Sequence, residues 1–264
     1  NADGSFSYNP PAGFEGTDTF SYTLTNSEGS NSATVTINVT GMIWFIDNNA
    51  SLCTTLAAGC GRLTTPFSSL TAFAALNNGI GNNPAVNDNI FLYESAIDHA
   101  GPVTLLNGQR FIGQDATASL SSITGLTPPA GSDPLPAMNS ANATIVNITG
   151  GNSITVGSGN TLRGFTGGNA TTDITGSSFG TLTISDVTLN GTGRALNLTT
   201  GTLAATFGSI SSTNSGTTGV SLSGVAGTLT SPTTTVTNST GSGISVISSS
   251  GTLNFGNTTE SGSG

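Results

Sequence analysis

"TLRGFTGGNATTDITGSSFGTLTISDVTLNGTGRALNLTTGTLAATFGSI" (residues 161–210) belongs to the repeat that decides the fold. In this stretch and its flanks, leucines follow a glycine by two or three positions, at Leu162, Leu182, Leu203, Leu229 and Leu253. Asparagines recur with nearly the same spacing, at Asn169, Asn190, Asn214, Asn238 and Asn257. The steps between successive members vary, but they fall in nearly the same range in both sets, so the two sets indicate a structural repeat of about 23 residues.

The segments between these residues predict short strands, because pieces such as "ALNL" and "GVSL" alternate apolar and polar residues. A coil of three such strands, each stacked on its counterpart in the next coil at about 4.8 Å, accounts for the period. We expect leucine and valine to fill the interior. We expect the five asparagines to occupy left-handed turns, where their amides bond the next coil and form a ladder. The alternative is that these asparagines bind a ligand.

Residues 87–264 therefore predict a solenoid of about seven coils and about 35 Å in length. One piece does not fit the coils, "TPPAGSDPLPAMNS" (residues 127–140), which contains four prolines. Proline cannot donate to a strand ladder, so we expect an excursion near residues 126–140.

A helix is predicted in "TPFSSLTAFAALNNG" (residues 65–79), with Thr65 as N-cap, Pro66 as first residue and Asn78-Gly79 as its end. Strands are predicted next, in "NDNIFLY" and then in "GPVTLLNGQRFIGQ". This order resembles the start of right-handed parallel β-helix proteins, in which a helix lies across the open first coil. Pectate-lyase-like enzymes, phage spikes and bacterial surface adhesins share this feature, so the resemblance implies a fold and not a reaction.

The N-terminal part, "DGSFSYNPPAGFEGTDTFSYTLTNSEG" with "ATVTINV", predicts three strands, around Phe6 and Tyr8, at 20–24 and at 35–39. It resembles the second half of the cadherin-like or Ig-like modules of large bacterial surface proteins, over residues 1–40. Such modules often bind Ca²⁺, and the candidate ligands here are Asp3, Glu15 and Asp18. The alternative is that these are ordinary turn carboxylates, since Ca²⁺ takes six or more oxygen ligands.

Composition excludes several classes of partner. The chain has 13 acidic residues and four arginines, no lysine, and a net charge of −9, which disfavours nucleic acid and anionic membrane surfaces. No apolar run reaches the ~18 residues of a membrane span, so no membrane insertion is expected. Cys53 and Cys60 have no histidine nearby and predict a disulfide in an oxidising compartment, with free thiols as the alternative.

Evidence for catalysis is sparse. Asp173 and Asp186 are 13 positions apart, so on a coil of about 23 residues we expect them on different faces. The densest polar cluster is Glu94, Asp98 and His99, which is either a proton-transfer pair or a polar loop. Beyond Tyr93 there is neither Trp nor Tyr, so the rod surface is mainly Ser, Thr, Asn and Gly. Such a surface suits a spacer or a broad, weak contact better than a pocket.

The sequence thus predicts an all-β chain with a partial Ig-like β-sandwich module (1–40), a leading segment with the disulfide and one capping helix (41–86), and a right-handed parallel β-helix (87–264). We expect a non-enzymatic structural or adhesive segment of a bacterial extracellular surface or filament protein, with no catalytic or cofactor-binding residue. The alternatives are a polysaccharide-active, pectate-lyase-like enzyme and a phage tail-spike-like fibre. The expected partners are other copies of the chain or the rest of a longer chain, head to tail, and surface glycans or a neighbouring cell surface.

Overall fold

The computed structural model describes residues 4–140 and 147–264, and it is almost entirely β. Two short α-helices, α1 (Leu70–Leu76) and α2 (Leu120–Thr124), interrupt the strands of the described parts. The strands are β1 (Gly16–Asn26), β2 (Gly29–Val39), β3 (Ile43–Ile46), β4 (Asn89–Leu92), β5 (His99–Ala100), β6 (Val103–Thr104), β7 (Arg110–Gly113), β8 (Asn147–Thr149), β9 (Asn152–Val156), β10 (Thr161–Gly167), β11 (Thr172–Ser177), β12 (Thr181–Leu189), β13 (Arg194–Thr213), β14 (Val220–Thr230), β15 (Thr233–Thr237), β16 (Ile244–Ile247), β17 (Ser250–Asn254) and β18 (Asn257–Ser261).

From β3 onward the strands form three parallel stacks, which are the three faces of a β-solenoid of about seven turns. The first face stacks β3, β4, β7, β10, β12, β13, β14 and β17. The second stacks β6, β9, β11, β13, β14 and β16. The third stacks β5, β8, β10, β12, β13, β15 and β18. Long strands such as β13 take part in all three faces, so the predicted all-β solenoid is confirmed.

The leucine repeat fills the interior, but its register shifts between coils. Leu182 pairs with Leu203 as the repeat predicts. Leu203, however, pairs with Gly227, and Leu229 pairs with Ala205. A shift of two residues keeps a side chain on the same face of a strand, because side chains alternate with a period of two. The coils can therefore differ in length while all of these leucines except the half-buried Leu253 stay buried.

The helix α1 covers the first coil, although it starts later than predicted. Its N-cap is Ser69, whose Oγ accepts a hydrogen bond from Ala72 N at 3.1 Å, and not Thr65. The residues before it are extended because Phe67 forms a parallel bridge with Ile46 of β3. From the helix and its C-cap, side chains then donate to carbonyls of the second and third faces: Thr71 Oγ1 to Ala100 O at 3.3 Å and Asn77 Nδ2 to Thr104 O at 2.8 Å.

The first coils are also covered from outside. Phe45, Phe91 and Ile112 point away from the interior of the solenoid and are buried against Ala116 and Leu120, which lie in the segment between β7 and the excursion. Strands buried on both faces read as continuous apolar runs, which explains "IWFI" and "NIFL". The same segment is bonded to a later coil, because Thr117 Oγ1 donates to Asp186 Oδ1 at 3.1 Å.

The N-terminal part contains two strands and not three. β1 and β2 form an antiparallel hairpin, whereas residues 4–15 form no strand. The prediction of a strand around Phe6 and Tyr8 is therefore wrong. Two features explain it: Pro10 and Pro11 have no N–H to donate, and Arg62 donates to Asn9 Oδ1 and Pro10 O, which holds this segment against the solenoid.

The two faces of the hairpin differ sharply. One face is hydroxylic, and its side chains bond across the strands in four pairs: Thr17–Asn38, Ser21–Thr34, Thr23–Ser32 and Thr25–Ser30. The other carries Phe20, Tyr22, Leu24, Val35 and Ile37. Phe6 packs on Phe20 with ring centroids 5.0 Å apart, but Tyr22 and Leu24 remain 45% and 69% exposed. The apolar face of the hairpin is thus largely uncovered by the described residues.

Cys53 and Cys60 are bonded to each other, with Cα atoms 5.4 Å apart, which confirms the predicted disulfide. We expect replacement of both by Ser to lower stability by about 2 kcal/mol, because a short loop regains its freedom in the unfolded chain. Hydrogen exchange should show lost protection in residues 47–76, with β12 to β15 unchanged as the internal control. A uniform loss along the solenoid would contradict this.

Candidate functional site

The two aspartates of the repeat, Asp173 and Asp186, lie in different surroundings. Asp173, in β11, is only 3% exposed, and its Oδ1 has no hydrogen-bond partner. Burial raises the pKa of Asp173 to about 8. Asp186 forms an ion pair with Arg163, at 2.6 Å between Oδ2 and Nη2. Burial alone would raise the pKa of Asp186, but the hydrogen bonds from Arg163 and Thr117 outweigh it and hold that pKa below its usual value.

Of the cluster Glu94, Asp98 and His99, the two acidic residues lie in the loop between β4 and β5, as one of the two sequence interpretations expects, but His99 does not. His99 belongs to β5 and is fully buried, and its Nε2 lies 2.8 Å from Tyr93 O. Its Nδ1 has no hydrogen-bond partner in the structure, and burial lowers the pKa of the ring. The Asp98 side chain is exposed, and the backbone N–H of Glu94 donates a hydrogen bond to Gln114 Oε1 at 3.0 Å. The imidazole is therefore held by a backbone carbonyl and not by a carboxylate.

The candidate calcium ligands are engaged in local bonds. Glu15 Oε1 accepts a hydrogen bond from Gly41 N at 2.6 Å. Asp18 accepts from Tyr8 Oη at 3.0 Å and from Thr19 N at 2.8 Å. Asp3 lies outside the described residues. In the described ranges, no three His, Cys, Asp or Glu side chains are grouped so that they could hold a metal ion.

The structure brings some of the repeated asparagines together. Asn214 and Asn238 occupy equivalent turns of successive coils, both with a left-handed backbone (φ 54° and 55°), and Asn238 Nδ2 donates to Asn214 Oδ1 at 3.2 Å. Asn169 is also left-handed, and its Oδ1 accepts from Thr192 N at 3.2 Å in the next coil. Asn190 lies at the equivalent corner but does not have a left-handed backbone, and Asn257 lies at another corner.

Coil length explains the difference. Asn190 directly follows β12 and does not have a left-handed backbone. The side-chain oxygen of Asn169 therefore bonds to Thr192 of the next coil and not to Asn190. Asn257 is the first residue of β18 and pairs with Thr233, so it belongs to another corner of the coil. At the turn equivalent to Asn238, the last coil has Gly262, whose preceding residue Ser261 pairs with Thr237. The five-membered ladder predicted from spacing is therefore wrong at these two positions.

A cleft of about 710 Å³ opens between the N-terminal segment and the first coil. Its walls are residues 6–14, residues 39–45, residues 61–64 after the disulfide, and residues 128–135 of the excursion. No local sequence pattern indicated it, because it forms between four segments that are distant in the chain. Both this cleft and the apolar hairpin face lie near the N-terminus.

The comparisons with known proteins concern this same end of the molecule. Residues 1–39 match the family model described as Bacterial Ig domain. No curated protein and no solved structure matches the chain. The Bacterial Ig domain match contains the β1–β2 hairpin and most of the N-terminal wall of the cleft. It agrees with the resemblance drawn from the sequence, and the solenoid lies outside it.

No described helix is long and apolar enough to cross a membrane.

The turn at Asn214 yields a stability prediction. Asn214→Leu should cost roughly 1–3 kcal/mol, because leucine disfavours a left-handed backbone and the bond with Asn238 is lost. Asn190→Leu is the matched control, since Asn190 is exposed and has an ordinary backbone. Urea unfolding of both variants measures the difference, and equal losses would refute the role of the turn.

The two carboxylates predict opposite pH dependences. The pKa of Asp173 is raised in the folded protein, so the unfolded chain releases this proton at a lower pH than the folded protein does. The burial of Asp173 therefore does not lower the free energy of unfolding below about pH 4, and it lowers it increasingly as the pH rises to about 8. Asp173→Asn should therefore raise the Tm at pH 8 and have little effect at pH 4. The pKa of Asp186 is lowered, so Asp186→Asn should reduce the Tm at neutral pH, and the loss should fade as the pH falls below 3.8. Thermal melts from pH 3 to 9 test both, and parallel curves would contradict the assignments.

Proposed function

We propose that this chain is a non-enzymatic structural and adhesive segment of a bacterial extracellular surface or filament protein. The observation that carries the proposal is the solenoid itself, in which about seven coils share one continuous apolar interior. Its strands bond mainly to neighbouring coils, so the fold builds an elongated body and a regular surface. From residue 164 onward only four charged residues occur, Asp173, Asp186, Arg194 and Glu260.

The Bacterial Ig domain match and the solenoid together suggest a surface or structural protein. The disulfide adds an indication of compartment, since such bonds persist in oxidising environments. An extracellular location at a cell surface fits both observations, and a role as support and contact surface requires no cofactor.

The positions of the carboxylates favour this proposal over a polysaccharide-active enzyme. Glycoside hydrolysis commonly uses two carboxyl groups that flank one bond. Here Asp173 lies in the interior and Asp186 is neutralised by Arg163, so neither is placed for such a pair. His99 is buried against the Tyr93 carbonyl and has no carboxylate bond.

The partners we propose follow from the uncovered surfaces. The apolar face of the hairpin has the character of one sheet of a sandwich, which is stabilised when a second sheet packs on it. Another copy of the chain or further residues of the same polypeptide, arranged head to tail, would supply that cover. A surface this poor in cations gives no support for nucleic acid as a partner.

Two assays on the full chain test the function. Beads coated with the protein should attach to bacterial or host cells, and acidic polysaccharides with or without Ca²⁺ should show no cleavage. Beads coated with an unrelated protein of similar net charge are the control. Cleavage that is abolished by Asp98→Asn or Glu94→Gln would overturn the proposal in favour of the enzyme, and absence of attachment would remove the adhesive role.

A further inference from the structure

The cleft beside the first coil has the size and shape of a ligand site. Its volume of about 710 Å³ lies within the range of about 300–1,000 Å³ that is usual for pockets which bind small molecules. Its walls come from four segments, and two of them are firmly held. The disulfide closes the loop that leads to Gly61 and Arg62, and Arg62 binds the segment at Asn9 and Pro10.

Aromatic side chains line one wall and remain accessible. Phe6, Tyr8 and Phe14 all border the cleft, and Phe6 is 56% exposed. Tyr8 and Phe14 are half-buried, so part of each ring is available. These rings stand out because the rest of the rod surface is mainly Ser, Thr, Asn and Gly. An accessible aromatic wall offers a surface on which the C–H face of a ligand can pack.

The excursion contributes a carboxylate to the lining. Asp133 is exposed at the cleft and forms no hydrogen bond with the residues that the structure describes, so its carboxylate can accept bonds from hydroxyl groups. Arg62 is the cation among the lining residues, and its guanidinium already donates to Asn9 and Pro10. With the carboxylate free, the cation engaged and a net charge of −9, the cleft disfavours an anionic ligand.

We propose that this cleft binds a neutral oligosaccharide. A pyranose ring has C–H groups on its faces and hydroxyls at its rim, which matches a cleft lined by both accessible aromatic rings and an exposed carboxylate. Phe6 packs against the sugar face, and Asp133 accepts hydrogen bonds from its hydroxyls. This site rests on the adhesive function proposed above, and it places the glycan contact at the N-terminal end of the molecule and not along the coils.

The test is a titration of the full chain with chitotetraose, cellotetraose and mannotetraose as neutral probes and trigalacturonate as an acidic probe, followed by NMR. At least one neutral probe should bind more tightly than trigalacturonate. Phe6→Ala and Asp133→Asn should each weaken that binding about tenfold, which corresponds to about 1.4 kcal/mol. The Asp133 side chain is exposed, so the thermal melt of Asp133→Asn should remain that of the parent chain. Phe6→Ala also loses the contact with Phe20, so its NMR spectrum must show that the fold is retained before its affinity is compared.

The controls make the same chemical changes elsewhere on the surface. Leu52→Ala removes an apolar side chain that is 87% exposed, and Asp98→Asn removes an exposed carboxylate, both outside the cleft. Neither should alter the affinity. Absence of neutral binding, tighter binding of trigalacturonate, or equal losses in cleft and control variants would each overturn the proposal. If the cleft proposal is overturned but coated beads still attach to cells, the adhesive function is retained and its contact site lies elsewhere.

Discussion

The structure depends on hydrogen bonds between coils. No described strand of the solenoid pairs within its own coil, because every described pair after the hairpin is parallel and joins neighbouring coils. A single coil would leave its backbone groups and one apolar side unsatisfied. Stacking satisfies the backbone groups and covers the apolar side together. Each added coil forms hydrogen bonds with the backbone of the coil before it and adds its apolar side chains to the same interior. The ends of the stack therefore need special treatment, and α1 provides it at the first coil.

The second constraint is that the coils differ in length. Paired strands must keep inward positions aligned, so extra residues are absorbed at corners or at local irregularities such as the one between Ile184 and Val187 of β12. Left-handed residues mark these corners, and they include Asp186, Thr200 and Ser248 as well as the asparagines. Asparagine is well suited to such a turn, but serine, threonine and aspartate also occupy it here. The path of the backbone thus determines where a corner has a left-handed residue. Asparagine is favoured at such a position but is not required there.

This explains how far the sequence could predict the structure. A repeat with alternating apolar residues predicts stacked coils, because period and burial depend on local pattern alone. The start of α1 could not be predicted, since Phe67 is drawn into the first sheet by Ile46, a contact of tertiary structure. The ladder was only partly predictable because spacing does not show which corner a residue occupies. Among the candidate site residues, the burial of Asp173 and His99 and the cleft itself depend on segments that are far apart in sequence, so no local pattern indicated them.

The parallel stack also determines how the molecule responds to tension. The chain enters at the first coil and leaves at the last, so a force along the rod pulls on one terminal coil at a time. A coil that detaches breaks its bonds to a single neighbour and releases about 23 residues, while the remaining coils keep theirs. A rod of this kind lengthens in steps and dissipates energy at each one. The disulfide between Cys53 and Cys60 prevents the residues between them from extending under force. The segment that covers the first coil therefore lengthens less on unfolding than its number of residues would predict.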